Sequence, residues 1–385
     1  MIDRRGFLGA AFALGGSACL RPLSAFGDEA GNPFDRKQMS FMQEMLTSPS
    51  PSGYEKPVQK IWEAYTSRYA EVRFDRLGNA IATVNGGGKP RFMLAAHCDE
   101  ISFMVTFIDD NGFLYFAPMG GFDQGIIPGR RVQVHTSNGP LDGVIGKGPI
   151  HLMSQDARNR PSQIKDLCID IGAKDKDEAE SIVAVGDPVT YTYEYLELRN
   201  GLAVARGFDD RIGSFIVAEV MRRISESRKL KASVYGVSTV QEEIGLRGAN
   251  ASAFGVDPDV AIAIDVTHAT DYPGMDKKQA GDIRLGGGGA VSRGPFLNPV
   301  VFDLIMETAK KNNLPCQVEG APGSTGTDAN AIQITRAGVA TGLISIPLRY
   351  MHTPVETLAL IDVENIIRMI VAFAEELTPD MDFIP

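Results

Sequence analysis

Residues 232–265 read ASVYGVSTVQEEIGLRGANASAFGVDPDVAIAID, and the order of their parts decides the fold. Ala232 to Val240 is an apolar run of strand length that ends in Gln241-Glu242-Glu243. A helical stretch follows around Gly248 to Phe254, and a second apolar run from Val260 closes on Asp265. Buried strands alternating with helices predict an α/β fold, a mixed and mostly parallel sheet flanked by helices on both faces. Sites in such sheets form beyond the carboxyl ends of the strands, where Glu242, Glu243 and Asp265 fall.

The alternation continues outward. A helix is expected from about Ile212 to Ser225, and others near Pro299 to Asn312, Asp328 to Ile334 and Val363 to Leu377. Towards the amino terminus, Lys37 to Leu46 and Lys56 to Tyr69 carry apolar residues at helical spacing, separated by Ser48-Pro49-Ser50-Pro51-Ser52-Gly53. Strands follow at Val72 to Phe74, Ala80 to Val84 and Phe92 to Ala96, the last running into His97. From Ile101 the character changes: Phe103 to Ile108, Leu114 to Pro118, Arg131 to His135 and Leu141 to Ile145 are short runs divided by Asp-Asn-Gly, Ser-Asn-Gly or Gly turns. Residues 101–198 therefore read as an inserted β-rich domain, splitting the α/β domain into 31–100 and 199–385.

Residues 1–30 read as an export signal of the twin-arginine type, with Arg4-Arg5 before the apolar run Phe7 to Leu20. Cleavage after Ala25-Phe26-Gly27 and a periplasmic or exported location follow from it. Lipid attachment at Cys19 is the alternative. The run is too short for a comfortable membrane span, so no integral membrane segment is expected after signal removal. With 44% hydrophobic and 22% charged residues the chain is an ordinary soluble globular one, and its net charge of -10 argues against nucleic acid as a partner. Cys19, Cys98, Cys168 and Cys316 show no metal or redox spacing, so free and mostly buried thiols are expected.

Five short segments carry the chemistry, around His97, Asp209, Glu242-Glu243, Asp265 and His352. Each has a bland reading: His97 bonded to a backbone carbonyl, Asp209-Asp210 capping a helix, the two glutamates solvated at a strand end. Asp265 is harder to dismiss, since a carboxylate ending a buried run is costly unless paired. Together they supply what two hydrolytic metal ions about 3.5–4 Å apart require. His97 and His352 are the imidazole ligands, Asp209 the bridge, Glu243 and Asp265 the terminal carboxylates, and Glu242 the unligated general base acting on a metal-activated bridging water. Asp99, two residues beyond His97, is expected to hold its unligated ring nitrogen. Mixed nitrogen and oxygen ligands suit two divalent ions such as zinc, with cobalt or manganese as alternatives.

The runs Ala-His-Cys-Asp-Glu-Ile, Phe-Asp-Asp-Arg-Ile-Gly, Thr-Val-Gln-Glu-Glu-Ile-Gly-Leu-Arg-Gly-Ala, Ile-Asp-Val-Thr-His-Ala-Thr-Asp, Gly-Thr-Asp-Ala and Arg-Tyr-Met-His-Thr-Pro-Val-Glu closely resemble the TET-type aminopeptidases. That is the glutamyl-aminopeptidase group of dinuclear metallopeptidases, some of which carry an endoglucanase label. The resemblance spans nearly everything after about residue 35. It implies the dinuclear zinc exopeptidase fold, metal roles for His97, Asp209, Glu243, Asp265 and His352, base catalysis by Glu242, and a cis peptide between Asp209 and Asp210. It further implies that the insert is a small, barrel-like dimerisation domain and that dimers assemble into hollow dodecamers. Cys98, and Ser102 where a glycine is common, depart from the pattern, and so does an exported location. Neither residue puts the ligands in doubt, since Cys98 should face away from His97 and Asp99.

The function expected is removal of amino-terminal residues from short peptides. A cellulase-like glycoside hydrolase would place its carboxylates about 5–9.5 Å apart across a sugar ring, which adjacent Glu242 and Glu243 cannot easily do. A non-catalytic metal-binding assembly protein should lack a ligand or the base, and none is missing. Gly286 to Gly289 reads as a flexible turn, and Gly323 to Asp328 as a helix cap that could also face substrate. His135, His151 and His268 read as structural or surface residues.

Overall fold

Eight strands form the main sheet, in the order Glu71–Phe74, Ala80–Val84, Ser233–Thr239, Arg91–His97, Val260–His268, Ala340–Leu348, Gly289–Arg293 and Cys316–Gly320. The computed structural model describes residues 32–385 apart from 156, 157 and 159, so the expected export signal and Cys19 lie outside the described residues. The strands beginning at Ser233, Arg91, Val260 and Ala340 are mutually parallel, with antiparallel joins on either side. Their apolar runs are buried throughout because helices cover both faces. Phe208–Ser225, Pro299–Lys311, Leu360–Glu376 and the first two helices pack on one side, while Arg247–Val256 and Asp328–Gln333 pack on the other. This is the mixed, mostly parallel α/β architecture the sequence predicts.

Three strands of this sheet escaped the sequence reading. Ala340–Leu348 sits at the centre of the sheet although Pro347 interrupts its run, because that proline pairs with Thr267 near the strand's end. Gly289–Arg293 and Cys316–Gly320 lack the apolar length that marks a buried strand. The glycine run does open in a turn, at Leu285 and Gly286, and that turn is held in place: the amides of Gly286 and Gly288 each donate to the Asp362 carboxylate at 2.7 Å, and Gly289 starts a strand. Cys98 is buried with the main core, whereas Cys168 and Cys316 are only half-buried, and all three thiols are free.

Inserted in the chain between Arg91–His97 and Phe208–Ser225 is a closed barrel, with strand order Ser102–Ile108, Leu114–Met119, Ile169–Asp170, Gly139–Ile145, Arg131–Thr136 and Pro188–Tyr191. It has a core of its own around Phe103, Val132 and Val189. At its root Glu100 accepts from Arg206 at 2.6 Å and from Arg211 at 3.0 Å, and Arg206 also donates to the Tyr191 carbonyl at 3.1 Å. Arg211 is fully buried and reaches the carbonyls of Met45 and Ser48 as well. One ionic cluster thus ties the barrel's entry and exit to the helix that carries Asp209. Among the described residues no helix is long and apolar enough to cross a membrane.

Candidate active site

Most candidate ligands sit where a strand or helix has just begun or ended. His97 is the last residue of Arg91–His97, Glu242 and Glu243 follow Ser233–Thr239, and Asp265 lies within Val260–His268. Gln241 and His352 adopt left-handed backbone conformations, with φ of 57° and 60°, which turns the chain sharply at both places. Asp209 and Asp210 fall in the non-helical first turn of Phe208–Ser225 and are joined by a cis peptide, as the resemblance implies.

The two aspartates divide the roles that their sequence left open. Asp210 turns inward and accepts from the Gly213 amide at 3.1 Å, a cap-like bond that leaves no room for a Cβ on Gly213. Asp209 faces the other way. Its Oδ1 lies 3.2 Å from His97 Nε2 and its Oδ2 3.2 Å from His352 Nε2. One carboxylate thus presents one oxygen to each of two imidazoles, the disposition of a bridging ligand.

The remaining candidates close around that axis. His352 Nε2 is 3.6 Å from Glu243 Oε1, an oxygen that is buried without a hydrogen-bond partner. His97, Asp209 and Glu243 offer ligand atoms within 4.8 Å of one another, and so do His97, Glu242 and Asp265. All six predicted residues therefore converge at one place. Glu242 stands beside the ligands, its Oε2 being 3.9 Å from His97 Nε2.

The electrostatics are those of a cation site. Burial, followed by the Asp209 charge, pushes Glu243 up to about 8, and burial with Asp209 beside it likewise pushes Asp265 up to about 8, against His97. Glu242 goes to about 10, chiefly through burial and then Asp265, although His97 opposes this. His352 rises to about 9 because Asp209 outweighs the effect of burial. Burial also works to raise Asp209, yet His352 and His97 hold it well below the usual carboxylate range. So many carboxylates with so little compensating charge fit a site built to enclose positive ions.

Asp99 stands beside His97 and takes on a further role. His97 Nδ1 lies 3.1 Å from the Asp99 backbone carbonyl and 3.5 Å from the Asp99 carboxylate, so both groups of Asp99 face that ring nitrogen. The same carboxylate accepts from the amides of Glu242 at 2.9 Å and Glu243 at 3.2 Å, and from Ser52 Oγ at 2.6 Å. It aims the two glutamates by gripping their backbone.

Residues 78–369 match the family described as M42 glutamyl aminopeptidase. The chain belongs to that family. The M42 chain is 38% identical over 351 residues to lysyl aminopeptidase of Pyrococcus furiosus, covering 89% of this chain and 98% of that enzyme. It superposes on the TET aminopeptidase of the Thaumarchaeota archaeon SCGC AB-539-E09 with a TM-score of 0.85 at 37% identity, covering 89% and 96% of the two chains. On the TET1 peptidase of Pyrococcus horikoshii, which assembles into a tetrahedron or a large octahedral shell, the TM-score is 0.80 at 32% identity, covering 88% and 100%. Membership makes this protein a metal-dependent aminopeptidase, a peptide hydrolase of the exopeptidase kind.

Several supports of the M42 site were given no such role in the sequence reading. Glu356 is buried, accepts from the amides of Asp209 at 3.2 Å and His352 at 2.9 Å, and so fixes two proposed ligands at once. Glu55, in the break between the first two helices, accepts from the Gln241 amide at 3.1 Å. Asp328 accepts from Thr239 Oγ1 at 2.5 Å and is buried, and neither it nor Thr327 caps its helix by a side chain, contrary to expectation. Residues 323–327 do line the cavity, as does His268, while His135 bonds Thr190 at 2.8 Å. Replacing Glu356 by Gln puts an amide donor against one of two backbone donors. Metal affinity is expected to fall about 10- to 100-fold, read by competition with a chromogenic chelator. Unchanged affinity would remove Glu356 from the support of the ligands.

Proposed function

We propose that His97 and Asp265 hold one divalent ion, Glu243 and His352 a second, and that Asp209 bridges the two. The observation that carries this reading is the Asp209 carboxylate shared between two imidazoles at 3.2 Å each. Bound there, such ions would acidify a water and polarise the scissile carbonyl. Glu242 takes the proton of the attacking water and delivers it to the leaving amine. Asp99 keeps Glu242 and Glu243 in register through their amides, and Ser52 keeps Asp99 in place. Zinc is the favoured occupant, with cobalt and manganese as the alternatives to be compared. The side chains that would flank a sugar ring in a glycoside hydrolase instead converge on two histidines here, which favours the peptidase.

Oligomer formation comes to this chain from its relatives: the barrel is proposed to make dimer contacts, and Ile150 and Leu152, exposed on the insert, support that reading. Dimers would build the larger shell. Export through Arg4-Arg5 is proposed on sequence grounds alone. The reaction is tested by adding zinc, cobalt or manganese to stripped protein and following peptides with free and with acetylated amino termini. Release of single residues from the free peptides alone is expected. Equal cleavage of acetylated peptides would sink the exopeptidase mechanism.

A further inference from the structure

The cavity over His97, Glu242 and Asp265 encloses about 480 Å³, and its far wall comes from the ends of Gly289–Arg293 and Cys316–Gly320 with residues 321–327. Five carboxylates line it: Asp209, Glu242, Glu243, Asp265 and Glu319. Four of them belong to the proposed metal centre. Glu319 is the exception, and among the described lining residues there is no Lys or Arg to neutralise it.

Glu319 is held in a defined place. It pairs in register with Ser292, its Oε1 accepts from Thr267 Oγ1 at 2.5 Å, and its Oε2 accepts from Ser292 Oγ at 3.1 Å. An ionised carboxylate has about four acceptor sites, so two hydroxyl bonds leave room on both oxygens for another donor. Thr267 stands two residues beyond Asp265 on the same strand and hence on the same face, about 6.6 Å further along it. That is close to the reach of a lysine's four-carbon stem from its own backbone. A peptide whose terminal residue is cleaved beside Asp265 would bring a long cationic side chain to Glu319.

We propose that Glu319 is the specificity-determining residue of this aminopeptidase and selects an amino-terminal Lys or Arg. The inference rests on the aminopeptidase reading above and adds the class of residue removed. An ammonium or guanidinium gains a charge-assisted bond there. A neutral Leu gains nothing, and a terminal Glu meets a like charge.

The test compares kcat/KM of the metal-loaded protein for the p-nitroanilides of Lys, Arg, Leu and Glu. Lys and Arg are expected to exceed Leu, and Glu to be the poorest. In Glu319→Gln the Lys-to-Leu ratio should fall on the order of 10- to 100-fold, the scale of a charge-assisted hydrogen bond. Glu319→Asp should keep part of the ratio, and Glu319→Lys should raise the Glu-to-Lys ratio. A purely structural role would lower all substrates together and leave the ratios where they were, which would overturn the proposal. So would a wild-type protein that prefers Leu or Glu. Absence of turnover with every anilide, or equal cleavage of acetylated peptides, would instead fail the aminopeptidase reading, and this inference with it.

Discussion

Glu242→Gln is expected to lower kcat on the order of 10³-fold while the protein retains its full complement of metal, since a positioned general base contributes about 10²–10⁴. Gln keeps the shape and the backbone bond to Asp99, which involves the Glu242 amide and not its side chain. What it loses is a proton acceptor. With no cation nearby, burial and Asp265 push Glu242 up to about 10, against His97, so it would be a poor base. Positive ions among Asp209, Glu243 and Asp265 reverse that balance and lower it towards neutrality. Metal content measured by atomic emission and kcat measured on the same sample separate the two possible roles. Loss of metal with activity would make Glu242 a ligand, a role its grouping with His97 and Asp265 within 4.8 Å would then explain. Turnover within tenfold of the wild type would remove it from the chemistry altogether.

The site's ligands were legible because each lies at a break in a regular pattern. His97, Glu242, Glu243 and Asp265 are polar residues at or near the ends of apolar runs, where a central parallel strand leaves the core. The rim of the sheet was less legible, since Cys316–Gly320 is a short edge strand with little apolar content. Least legible was the scaffolding beneath the ligands. Ser52 meets Asp99 across 47 residues, Glu55 meets Gln241 across 186, and Glu356 meets Asp209 across 147. No local spacing encodes such partners, because the fold alone brings them together.

This scaffolding also extends the role of Asp99. The chain leaves the strand at His97, and the carboxylate two residues on, 3.5 Å from the imidazole, also serves the neighbouring strand, whose end carries both glutamates. Ser48 to Gly53, which reads as a simple break between helices, becomes a buttress: Ser52 bonds Asp99, and Ser50 donates to the Cys98 carbonyl at 2.7 Å. The β-rich insert is likewise coupled to the site, through Glu100 and its two arginines, one of which lies two residues after Asp209 on the same helix. A contact made by the barrel therefore has a short covalent and ionic path to the proposed bridging ligand.

Withdrawing metal is expected to abolish activity, and to destabilise the protein more severely as pH rises from about 6 to 9. The sign follows from the direction of the shifts. In the metal-free site Glu243 and Asp265 are raised to about 8 and His352 to about 9, the carboxylates mainly by burial and the imidazole by Asp209 against burial. A group whose pKa is higher folded than unfolded favours folding most fully below its unfolded value. That contribution is lost as pH climbs through the folded value, here near 8 to 9. Stripped protein should therefore show a falling Tm across this range. Ions bind the deprotonated ligands, so loading releases protons and apparent affinity should rise at least about tenfold per pH unit below about 8. The loaded protein then gains stability as metal binding tightens, and the Tm difference between loaded and chelated samples widens with pH. Thermal melts at matched ionic strength measure the gap, and calorimetric titrations in buffers of different ionisation enthalpy count the protons. A gap that narrows with pH, or binding without proton release, would mean that the carboxylates and histidines gathered around Asp209 are not the ligands.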